Sequence, residues 1–193
     1  GDNWPLTWAD DDALYTTWGD GWGFEPKTLE KLSLGFARVT GDGASFRGEN
    51  VRSTAEQLGS GRNGKKSWGL LSVDGTLYMW LGHADLQGGE SQLAWSRDHG
   101  RTWSFAHWRF SEFGLIGFVN YGRDYEGARD DYVYAYSHDG PLADTPADRL
   151  VLMRAPKDAL TRRASWEFLR EVNASGEPVW TNEIALRGAV FEK

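Results

Sequence analysis

The sequence predicts an all-β protein made of repeated four-stranded antiparallel sheets, and three observations carry that prediction. The 193 residues include 11 Trp and 24 Gly; indoles need large surfaces to cover them, and glycines supply tight corners. Alternation of apolar and polar residues, bounded by turn residues, yields mostly short strands. Three segments also begin alike: DDALYTTWGDG, VDGTLYMWLGH and RDDYVYAYSHDG. Their Leu14-Tyr15, Leu77-Tyr78 and Val133-Tyr134 pairs are spaced by 63 and 56 residues.

Each of these segments is the second strand of a unit. An apolar run precedes it: WPLTWA, SWGLLSV and FGLIGFVNYG. A third strand follows, LSLGFARVTGD, SQLAWSRDHG and DRLVLMRAPKD, with Leu34, Leu93 and Leu150 spaced by 59 and 57 residues. The fourth strand is strong in TWSFAHWRF, moderate in SWEFLREV and weak in ASFRGENVRS. The one predicted helix is PKDALTRR, 156–163, with Pro156 where its missing N–H costs least. A four-stranded unit recurring every 40 to 60 residues reads as a β-propeller blade. Blade 1 is expected over about 1–60, blade 2 over 61–110 and blade 3 over 111–182. RGAVFEK opens a fourth, at about 183–193. Three blades and a strand do not close a ring. The count therefore predicts a part of a longer propeller, or one completed by a second copy of the chain.

The totals narrow the function classes. One domain is the default for this length. A formal charge of −7 argues against a nucleic-acid partner. No apolar run approaches the roughly 18 residues of a membrane span. There is no cysteine, so disulfides and thiolate metal sites are excluded. No cofactor or metal motif is read. The chain opens on Gly rather than Met, so any targeting segment is expected to have been removed.

The stretch SRDHGRTW, Ser96 to Trp103, falls between the third and fourth strands of blade 2. It resembles the Asp-box of sialidase-superfamily propellers at all five defining positions: Ser96, Asp98, Gly100, Thr102 and Trp103. Its logic is structural. Asp98 accepts hydrogen bonds across a turn, Gly100 takes a left-handed conformation, and Trp103 wedges between sheets. Together with DNWPLTWADDDALYTTWGDGWGF, ARDDYVYAYS and ADRLVLMRAPKDAL, it makes the chain similar to a bacterial family of five-bladed carbohydrate-active propellers that includes endo-D-arabinanases. The resemblance covers nearly the whole chain. It implies a glycan or polysaccharide partner and a secreted or periplasmic location; fold-level likeness says little about chemistry.

If the Asp-box marks one face, the loops entering first strands and those joining second to third strands share the opposite mouth. Asp2, Trp4, Asp20, Trp22, Arg62, Lys65, His83, Glu112 and Arg187 fall on them. Asp2, ahead of the first inner strand, resembles the place where propeller glycosidases carry a carboxylate. With Asp20 or Glu112 it would form the carboxylate pair of a glycoside hydrolase. The substrate-binding set is then Trp4, Trp22, Arg62, Lys65, His83 and Arg187. Two other readings compete. His83 with a nearby Lys or Arg and Tyr suits a polysaccharide lyase. Trp residues without turnover suit a glycan-binding propeller. The plainer reading makes Asp2, Asp20 and His83 turn or cap residues. GSGRNGKK, 59–66, lacks the register of a phosphate-binding loop and reads as a flexible basic loop.

Overall fold

The computed structural model describes residues 2–193 as β-strands joined by loops and 3-10 turns, with no α-helix among the described residues. Three antiparallel sheets follow one another along the chain. The first runs β1 (Leu6–Trp8), β2 (Leu14–Trp18), β3 (Leu32–Thr40), β4 (Arg47–Val51), with β5 (Gln57–Leu58) added to β3. The second is β6 (Lys66–Val73), β7 (Thr76–Gly82), β8 (Gln92–Ser96), β9 (Ser104–Phe105). The third is β10 (Ile116–Phe118), β11 (Tyr132–His138), β12 (Arg149–Pro156), β13 (Glu167–Val172), β14 (Pro178–Thr181). Each sheet is a meander of consecutive strands, and none closes on itself. Residues 183–193 supply a 3-10 turn, Ile184–Leu186, and β15 (Phe191–Glu192), which pairs with β12 inside the third sheet. No helix is long and apolar enough to cross a membrane.

The second sheet is buried on both faces, because neighbouring residues of a strand point to opposite sides. Leu77, Met79 and Leu81 of β7 face the first sheet and join Tyr15, Leu34 and Phe36 in one apolar cluster. Trp80, between them in sequence, faces the other way. It packs against Trp166 (ring centroids 5.2 Å apart), Phe110 (5.7 Å) and Phe118 (6.0 Å) in the cluster shared with the third sheet. The first strands meet as well: β6 packs against both β1 and β10. The far side of the third sheet carries an apolar trough of about 500 Å³ lined by Tyr134, Tyr136, Leu152, Val172 and Trp180.

The Ser96–Trp103 turn is built by side chains. The Ser96 hydroxyl donates to Asp98 Oδ1 (2.8 Å), and Ser96 Oγ accepts the Gly100 N–H (2.9 Å). Asp98 accepts the Thr102 N–H (2.9 Å) and hydroxyl (2.6 Å). Gly100 has φ +85°, a backbone conformation that glycine adopts without strain. The Trp103 indole donates to the Gly100 carbonyl (3.0 Å) and its ring reaches Phe36 of the first sheet.

Three local expectations change. The predicted helix over 156–163 is replaced by 3-10 turns at Lys157–Ala159 and Arg163–Ser165. Eight residues are too few to nucleate a helix unaided, and the Trp166 indole takes the Leu160 carbonyl (2.9 Å). The strong fourth strand TWSFAHWRF shrinks to β9, because the Trp108 indole turns aside to the Thr161 carbonyl (3.0 Å); pairing resumes at Phe110 with Ser91. The third sheet also gains β14, set by a turn in which Asn173 Oδ1 accepts the Ser175 and Glu177 N–H groups.

Candidate functional site

At the end of the first sheet, Asp2 exchanges two backbone hydrogen bonds with Gly19 (2.9 and 2.6 Å). This bridge brings the start of the chain beside the loop that follows β2, so Asp2 and Asp20 flank one spot. Gly19 lets three side chains crowd in there. A Cβ on it would lie 2.8 Å from Asp2 Oδ1, 3.2 Å from Lys66 Cδ and 3.3 Å from Asn3 Nδ2. Asp2 is exposed; its Oδ1 accepts from the Asn3 amide (3.2 Å) and makes no ion pair among the described residues.

Asp20 is a different carboxylate. It bonds Lys66 Nζ and accepts the Gly61 N–H (3.2 Å). The Lys66 side chain is only 3% exposed, which makes Asp20 its counter-ion. Burial pushes the Asp20 carboxyl up, but the Lys66 hydrogen bond, the Gly61 amide and the charges of Lys66 and Lys31 outweigh it and hold it below the ordinary range. No hydrogen bond or ion pair joins Glu112 to either aspartate among the described residues; the charge of Glu112 acts on Arg163 instead.

The residues of 59–66 are pinned. The 3-10 turn Gly61–Asn63 offers its N–H to Asp20, while the Gly61 and Gly64 carbonyls face His83 Nδ1 at 3.2 and 3.1 Å. His83 Nδ1 is therefore the protonated nitrogen, a tautomer inferred from those two acceptors. Its Nε2 is buried without a partner, and the residue is 5% exposed. Arg62 clamps Asp144 with two bonds of 2.7 Å. Lys65 is half-buried; burial and then the Arg109 charge push its amine down. Asp85 accepts the Gln87 and Gly89 N–H groups, and Glu90 pairs with Arg109 (2.7 Å). Arg187 holds Asp139 (2.7 Å), which also meets Arg149 (3.2 Å).

Two indoles are open to solvent at this end. Trp4, 39% exposed, stacks on Trp18 (5.8 Å, 29°) and edges onto Phe24; Trp22 is 44% exposed. The structure thus sets Asp2 against the loop that carries Asp20 and Trp22, seats Trp4 on Trp18, and ties Arg62, His83 and Arg187 into loop architecture. Sequence reading passed over Asp144, which nothing in its loop distinguishes.

Three depressions are lined by none of Asp2, Trp4, Asp20 and Trp22. Besides the trough on the third sheet, one of about 470 Å³ is lined by Glu25, Arg47, Asn50 and Arg52. The other, about 490 Å³, lies by Tyr15, Arg38 and His99. Beside it, ligand atoms of Asp10, Asp11 and His99 fall within 4.8 Å of one another. That trio is already engaged: Asp10 with His99 (2.9 Å), Asp11 with Arg38 and Tyr15. No protein-family model matches the chain, and no curated protein matches it.

Proposed function

We propose that the three sheets are consecutive blades of a sialidase-type propeller and that the protein acts on a glycan laid across the mouth, hydrolysing a glycosidic bond. The observation that carries the reading is the Asp2–Gly19 bridge. It sets a free carboxylate beside an ionised one, with two exposed indoles alongside. Asp20, held ionised, is the anionic member of the carboxylate pair and Asp2 the second member that such hydrolysis needs. Trp4 and Trp22 offer apolar faces to the C–H faces of sugar rings. A lyase gains no support from His83, whose Nδ1 is spent on two carbonyls and whose Nε2 is shut inside.

A second reading, glycan binding without turnover, is favoured by the Asp20–Lys66 pair: a carboxylate committed to a buried lysine is poorly free to attack or to activate water. Release of reducing ends from a polysaccharide panel decides between them. Turnover by the wild type, lost in Asp2→Asn with binding kept, supports hydrolysis. Binding with no turnover on any polymer supports the second reading. Absence of both refutes the site.

A further inference from the structure

We infer that two copies of this chain associate head to tail and close a ring of six sheets, the outer face of each copy's first sheet packing on the outer face of the other's third sheet. The inference rests on the blade reading above and takes nothing from the glycan one. It starts from where apolar surface is left open. Among the described strand residues, the exposed large apolar side chains are Leu6, Trp8 and Leu58 in the first sheet and Tyr136, Val172 and Phe191 in the third. The second sheet, which has a neighbour on each face, exposes none on its strands.

Each chain carries both halves of an interface that it already makes. Leu14, Leu77 and Val133 are equivalent residues at the start of the second strands. Leu77 faces the preceding sheet, and so does Val133, which joins the cluster shared with the second sheet. The next residues along, Tyr15 and Tyr78, face the following sheet. By the same alternation Tyr134 and Tyr136 face the side of a following sheet, and with Leu152 and Trp180 they line the apolar trough of about 500 Å³. Leu14 faces the side of a preceding one. Its cross-strand partner Trp8 lies on that side with Leu6, while Thr7 between them turns inward and accepts the Ser72 N–H (2.8 Å). Trp4 and Phe24 cover the Trp18 end of this face, so Leu6, Trp8 and Leu14 are its open part. The two faces are complementary and not identical, so a contact between copies is heterologous and either closes or propagates. Propellers hold about four to eight blades. Six is the multiple of three in that range, and two copies reach it.

The experiment is sedimentation velocity on the full chain and on two single variants, Trp8→Lys and Tyr136→Glu. The wild type should sediment at twice the 21.7 kDa of one chain at about 10 μM. Each variant should sediment as one chain, because a closed ring uses both faces of every copy. An equimolar mixture of the variants should recover the doubled mass: one of its interfaces is wild type, and the other sets the new ammonium against the new carboxylate. That recovery also shows both variants to be folded. A monomeric wild type, or a doubled mass that survives Trp8→Lys, would overturn the ring and leave the blade reading standing. A mass that grows past two copies with concentration would overturn the ring and the radial arrangement together.

Discussion

The Trp103 ring of the second sheet lies 5.4 Å from the Phe36 ring of the first, tilted by 32°. That contact makes the Ser96–Trp103 turn a joint between sheets as well as a local cap. Its geometry depends on Asp98, whose carboxyl feels burial upward but is held low by the Thr102 and Ser96 hydroxyls and by backbone N–H groups. Asp98→Ala removes the acceptors of Thr102 and Ser96. It should lower stability by about 1–2 kcal/mol, measured by urea denaturation, and Asp98→Asn by less. An unchanged midpoint in Asp98→Ala would mean that the turn holds without its carboxylate.

Lys66 and Asp20 should answer unequally to substitution. Asp20→Ala leaves a charged amine in a site 3% exposed, and should cost about 3 kcal/mol. Lys66→Met leaves a carboxylate that is 20% exposed and can be rehydrated, and should cost less. A double-mutant cycle by thermal or chemical unfolding checks the order. Equal losses would contradict the burial difference.

Trp80 is the largest test of the core. It is fully buried and touches Trp108, Phe110, Phe118 and Trp166. Trp80→Ala should destabilise by about 3–5 kcal/mol. Near-ultraviolet circular dichroism should lose intensity, since four aromatic neighbours lose their partner.

The pH dependence has two limbs. Burial raises and hydrogen bonds more strongly lower the carboxyls of Asp11, Asp20 and Asp98. Their stabilisation is present above the ordinary carboxyl value and is lost as pH falls through their depressed values. At the alkaline end, burial and then the Asp11 hydrogen bond push the Tyr15 hydroxyl up to about 12. A raised group stabilises fully below its unfolded value of 10.0 and loses that contribution as pH rises toward 12. Tyr15→Phe should flatten the part of this limb that Tyr15 supplies, read as midpoint against pH. An identical limb in the variant would remove Tyr15 from the account.

Period-2 alternation and the spacing of the Leu-Tyr pairs made the sheet order legible, because strands consecutive in sequence pair with each other. The Ser96–Trp103 turn was legible for the same reason: its hydrogen bonds span at most four residues. The breaks were not. β9 stops short and the segment after Pro156 stays non-helical because Trp108 and Trp166 send indole N–H groups to the carbonyls of Thr161 and Leu160. β14 carried a signal, the Asn-Ala-Ser-Gly turn ahead of Pro178, that alternation in so short a run left weak. At the mouth, sequence could place Asp2 and Asp20 in neighbouring loops. It could not show that Lys66 would claim one of them, since that pairing joins residues 46 apart.

Because every strand pairs only within its own sheet, and the sheets follow one another along the chain, each sheet is complete without any strand of the next. A ribosome adds about 5–20 residues per second, whereas a hairpin forms in about 1–10 μs. The first sheet therefore has about 0.4–1.6 s after Leu58 before β6 begins to emerge and pack against β1, and the second about 0.5–2 s between Phe105 and β10. The nascent chain can be ordered from its leading end, one sheet serving as the template on which the next one settles.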